Sequence, residues 1–168
     1  MFHDQIPTEW LAPTEGVKIK GFYRVHLVEE SGDGVHIVGD SGWNRNQVTN
    51  DGFNDYMAKL LGAISGSKQI SHLALGTGGA PAASDTSLAG EVQKRQAVTA
   101  ATSSNSKAVQ FTGTFSSANS FVTATANISN IGLFNSSSTG TLFAGNTFAS
   151  SSCATNQAVQ VTYTISFS

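Results

Sequence analysis

Near its two ends the chain alternates apolar and polar side chains with a period of two, the spacing of a strand that buries one face. Val17, Ile19, Gly21, Tyr23, Val25 and Leu27 fall on one side, with Lys18, Lys20, Phe22, Arg24 and His26 on the other. Val159, Val161, Tyr163, Ile165 and Phe167 repeat the pattern against Gln160, Thr162, Thr164 and Ser166. The same alternation runs through Val109, Phe111, Gly113 and Phe115, and through Val122, Ala124, Ala126 and Ile128. Shorter apolar runs at residues 35–38, 73–75, 131–134 and 141–143 are set off by turn-forming clusters at 31–34, 103–106 and 136–140. This spacing predicts eight or nine short strands in an all-β antiparallel sandwich, jelly-roll-like.

One segment breaks the period. Phe53, Met57, Leu60 and Ile64 recur at helical intervals, and Asp51 and Asp55 stand where the positive end of a helix dipole favours them. The pattern predicts a single α-helix over residues 51–61, capped by Thr49 or Asn50 and ended by Gly62 and Gly66. Its apolar stripe is expected to lie across the sheet or to plug the end of a barrel.

Residues 70–91 divide the chain. Leu73 and Leu75 alternate with His72 and Ala74 as a strand with one buried face, and Gly76 to Pro81 then stop it. Asp85, Thr86 and Ser87 can accept backbone N–H groups and restart a turn or cap before Leu88.

Charged residues make up only 12% of the chain, about half the ~25% usual in globular proteins. Lys107 is the last of them. A neutral, hydroxyl-rich half points to surfaces that lie against other subunits. A net charge of −2 offers no footprint for nucleic acid or an anionic membrane. No apolar run approaches the ~20 residues of a membrane span, and the first residues lack the basic region and apolar core of a signal peptide. Synthesis in a cytoplasm is therefore expected. Cys153 stands alone, so an intrachain disulfide is excluded.

Residues 1–16 combine Pro7 and Pro13 with Phe2, Ile6, Trp10 and Leu11, which reads as an extended arm followed by one domain over 17–168. These four apolar residues are the candidate partner contacts, with the arm expected to dock outside its own sandwich.

Several motifs with chemical associations are better explained structurally. Gly39-Asp40-Ser41-Gly42 has the look of a serine-protease nucleophile site, but Trp43 follows where those enzymes carry glycine, and a turn accounts for it. Gly76-Thr77-Gly78-Gly79 lacks both the dinucleotide fingerprint and the ending of a phosphate loop. His3, His26, His36 and His72 form no metal-ligand pair, although His26 and His36 fall on one hairpin as cross-strand neighbours. Asp33 lacks the further oxygens of a calcium loop. Trp10, Trp43 and Tyr23 could build a sugar platform, but scattered aromatics more often anchor cores or interfaces. No catalytic residue, metal ligand or cofactor is expected.

The order Asp40-Ser41-Gly42-Trp43, Asn46 to Gly52, Leu73-Ala74-Leu75-Gly76-Thr77-Gly78, Ala80-Pro81, Asp85-Thr86, Leu88 and Glu91 resembles a group of tailed-bacteriophage virion proteins. The resemblance covers about a third of the chain, residues 40–95. Gly79 departs from it, standing where a polar residue is commoner. It implies a non-enzymatic structural role in the virion, as capsid decoration (cement), tail-adaptor, baseplate or tail-fibre protein, with no catalytic residues to carry over. It also implies copies of itself, in threes, and other virion proteins as partners, with a host surface glycan as a further candidate. The chain has no heptads or collagen-like repeat for a fibre shaft, which favours a compact decoration or adaptor subunit over a complete fibre.

Overall fold

A computed structural model of the protein describes residues 18–31, 33–102 and 107–167. They form an antiparallel β-sandwich. The first sheet has the order β2 (Gly34–Asp40), β1 (Ile19–Ser31), β11 (Ala158–Phe167), β8 (Ala108–Phe115), β7 (Thr99–Ala101), with β3 (Asn44–Arg45) also on β1. The second runs β4 (Gln47–Val48), β10 (Leu142–Cys153), β9 (Ala126–Phe134), β5 (His72–Gly76), β6 (Gln96–Ala97). Two short crossings join the sheets. β3 leaves the first sheet at Arg45 and β4 enters the second at Gln47, while β6 ends in the second at Ala97 and β7 begins in the first at Thr99. The sandwich is thus bridged at one point along each edge, by strands of two or three residues.

The alternation at the two ends is realised as expected. Tyr23, Val25 and Leu27 of β1 face Tyr163, Val161 and Val159 of β11 in register, all pointing into the core. Tyr23 and Tyr163 stack with ring centres 5.4 Å apart, and Phe148 meets Tyr23 edge-on. Each large side chain buried here contributes about 1.5–3 kcal/mol.

The middle of the chain corrects the sequence reading in three places. Residues 122–128 and 131–134 do not form two strands: Val122 is buried in a loop, and β9 runs unbroken from Ala126 to Phe134. Ser129 and Asn130, which lie between the two expected strands, bond a neighbouring loop through their side chains and leave the strand intact. β5 buries both faces, Leu73 and Leu75 on the main core and Ala74 in a second cluster with Leu88, Phe134 and Leu142. The helix occupies its expected place, but Gly52–Ala58 is π-wound, followed by an α-helical turn at Lys59–Leu61.

That winding changes which side chains are buried. Thr49 Oγ accepts the Gly52 N–H at 3.0 Å and donates to the Leu142 carbonyl at 2.6 Å, pinning the helix start to β10. A side chain on Gly52 would meet the Phe143 carbonyl at 2.3 Å, so only glycine allows this approach. The i→i+5 winding widens each turn, and Gly52 and Tyr56 become the buried face. Of the expected stripe only Met57 packs against the core; Phe53, Leu60 and Ile64 are exposed.

Candidate interaction surfaces

The glycine-proline loop, residues 77–91, is a strap across the outer face of the second sheet. Asn130, wholly buried in β9, donates its amide to the carbonyls of Gly79 (3.0 Å) and Ala89 (2.9 Å). Ser129 holds the Gly78 carbonyl at 2.9 Å, and Thr77 N–H reaches the Gly90 carbonyl at 3.0 Å. Asp85 accepts the Ala82 N–H at 2.9 Å, closing the turn expected at this position. Leu88 is pressed onto Ala74, Phe134 and Leu142. Glu91 receives Arg95 in a two-pronged ion pair. Gly78 is there because a Cβ would sit 2.5 Å from the Ala89 carbonyl. Thr77, Asp85, Leu88 and Glu91 of the stretch compared above thus help to hold this loop, together with Ser129 and Asn130 of β9.

Ser41 is equally committed to structure. Its Oγ accepts the Val25 N–H at 3.0 Å and donates to the Gly42 carbonyl at 2.8 Å. Asp40 is held by the Arg24 guanidinium, with His26 Nε2 3.5 Å from its Oδ1. That bonding to Arg24, helped by the Gly42 N–H, keeps the Asp40 carboxyl well below the usual carboxylate range. A triad would need an imidazole bonded to the serine, and here His26 faces Asp40 instead.

Of the described histidines, His26 lies opposite Asp40 and His36 opposite Glu29, so the register that starts at the Ser31–Gly34 pair keeps the two apart. His72 bonds Ser71, and burial, with Arg95 nearby, pushes its pKa down. His3 lies outside the described residues. Among the described residues no three histidine, cysteine or acidic side chains are grouped as a metal would need. Cys153 is buried, which raises its thiol pKa. The aromatic platform is not assembled either: Tyr23 is in the core, Trp43 is exposed, and Trp10 lies outside the described residues. So do Phe2, Ile6 and Leu11. No helix among the described residues is long and apolar enough to cross a membrane.

Among the described residues, apolar surface is exposed in two places. β2, at the edge of the first sheet, exposes Val35, Ile37 and Val38, each by about half, and Trp43 follows it. The outer side of the helix and the turn beyond it expose Phe53, Leu60, Ile64 and Leu61, the last 93% exposed. Beneath the helix a cavity of about 260 Å³ opens between Tyr56, Met57 and Leu60 on one side and Phe111, Ile165 and Phe167 on the other. A third feature is polar. A groove of about 420 Å³ on the first sheet is lined by Gln96, Thr99, Thr112, Thr114, Gln160 and Thr162.

Neither the exposed edge nor the cavity could be read from residue patterns, because alternation reports which faces suit burial and not which strand ends a sheet. No protein-family model, curated protein or solved structure matches this chain.

Proposed function

We propose that the protein is a non-enzymatic structural subunit on the exterior of a tailed-bacteriophage particle, a capsid decoration or tail-adaptor protein that packs against copies of itself and other virion proteins. The observation that carries this reading is the half-exposed row Val35, Ile37 and Val38 on an edge strand without lysine or proline. Edge strands of that kind invite pairing unless another chain covers them. The resemblance over residues 40–95 supplies the setting. The full engagement of Ser41 with backbone groups supports a structural role for the one serine motif.

The test is the double variant Ile37→Lys, Val38→Lys in the full chain. It is expected to keep the native circular dichroism spectrum and melting temperature while losing co-sedimentation with particles stripped of this protein. A folded variant that still decorates particles in full would refute the role of this edge.

The threonine and glutamine groove favours a second reading, a receptor-binding protein that takes a host glycan through hydroxyl and amide hydrogen bonds. Glycan-array binding that Gln160→Ala with Thr112→Val abolishes would favour it over the decoration role.

A further inference from the structure

The charges of the first sheet are sorted towards its two ends. Ile19 pairs with Phe167 and Lys20 with Ser166, which pairs in turn with Ala108, so Lys18, Lys20 and Lys107 stand at the end where β1 begins. All three are exposed, and none joins an ion pair among the described residues. The helix at this end adds Asp51 and the linked Asp55, Lys59 and Lys68, which together carry no net charge. At the far end of β1 the hairpin presents Glu29, Glu30 and Asp33, also exposed. His36 stands beside them, its Nε2 3.7 Å from Asp33.

Lys20 and Glu30 lie about 33 Å apart along β1 at the usual rise of a strand. One chain cannot bring these two ends together, whereas two copies can. Each end also exposes apolar side chains. Val35 and Ile37 lie on the hairpin, and Leu60, which shares a cavity wall with Phe167, is followed by Leu61 and Ile64 at the lysine end. Apolar area supplies contact energy, and opposite signs fix which end meets which. Hairpin against hairpin would crowd two sets of carboxylates, and lysine end against lysine end two sets of ammonium groups.

We propose that copies of this chain join head to tail, the acidic hairpin of one against the lysine end of the next. Such a contact is heterologous, so the array either closes as a ring or runs on as a row. The proposal rests on the self-packing suggested above and not on the phage setting.

Sedimentation velocity of the full chain at low salt is expected to show assemblies of two or more copies that come apart in high salt, which screens exposed charges. The triple variants Lys18→Glu, Lys20→Glu, Lys107→Glu and Glu29→Lys, Glu30→Lys, Asp33→Lys are each expected to be folded monomers. The chain carrying all six changes is expected to associate again. A full chain that stays monomeric at millimolar concentration overturns the proposal. So does association that high salt or either triple variant leaves unchanged, or a folded six-change chain that remains monomeric. Head-to-tail assembly in a protein that fails to join stripped particles supports the contact and refutes the phage setting.

Discussion

The guanidinium carbon of Arg95 lies 3.5 Å from the centre of the Phe134 ring. A cation with 5% of its side chain exposed thus covers the second apolar cluster. All three of its nitrogens are engaged, Nε and Nη2 on Glu91 at 2.6 and 3.0 Å and Nη1 on the carbonyls of Ser136 and Thr139 at 3.0 and 2.6 Å.

Removing this hub leaves a partly buried carboxylate and two carbonyls unpaired. Arg95→Ala is expected to destabilise the fold by about 3 kcal/mol, the low end for breaking a buried ion pair. Arg95→Lys is expected to recover less than half of that, because an ammonium can neither fork onto Glu91 nor stack on Phe134. Urea unfolding midpoints at constant slope check both values; a neutral Arg95→Lys would show that charge alone suffices.

All three tyrosines, Tyr23, Tyr56 and Tyr163, are buried, and burial is the main cause that raises each phenol. Tyr23 is pushed up to about 12, and the other two go higher. A raised folded pKa contributes stability that is intact below the unfolded value of about 10 and is lost as pH rises from there through the folded values. Absorbance at 295 nm is therefore expected to stay flat past pH 10 and then to rise for all three phenols together with loss of circular dichroism. One phenol titrating near 10 in the native protein would contradict the packing described.

Gly78 and Gly79 are neighbours with opposite expectations. A Cβ on Gly78 would meet the Ala89 carbonyl at 2.5 Å and the Ala89 side chain at 2.6 Å, whereas one on Gly79 would meet nothing within 4 Å. Gly78→Ala is expected to lose about 1–3 kcal/mol as the strap is pushed from the sheet, and Gly79→Ala to stay within about 0.5 kcal/mol. Thermal melts of the pair, with hydrogen exchange at Thr77 and Val92, decide it.

Where burial follows alternation, the sequence was a sufficient guide: β1, β8 and β11 lie where Tyr23, Phe111 and Tyr163 put them. It misled where a side chain serves a partner far along the chain. Asn130 falls between two strands that the apolar pattern separates, yet it sits within β9 and holds Gly79 and Ala89. The helix stripe failed for a related reason. The Gly52 contact with Phe143 and the π-winding turned Tyr56 inward in place of Leu60. Ser41 was legible as a turn residue, but its bond to Val25 belongs to the hairpin register, which residue types do not encode. The edge position of Val35, Ile37 and Val38 depends on strand order, a property of the whole sheet.

β1 and β11 are paired over ten residues, from Ile19 with Phe167 to Val28 with Ala158, across almost the full length of the described chain. Contacts so distant in sequence close late, after the entropy of the intervening loop has been overcome. On the ribosome, β1 must wait for Ala158 to Phe167 to emerge before its central partner exists. A product cut short before Ala158 would leave the inner edges of both β1 and β8 open, and such species aggregate or are degraded. β11 is thus the strand on which both halves of the first sheet depend, since it alone joins β1 to β8.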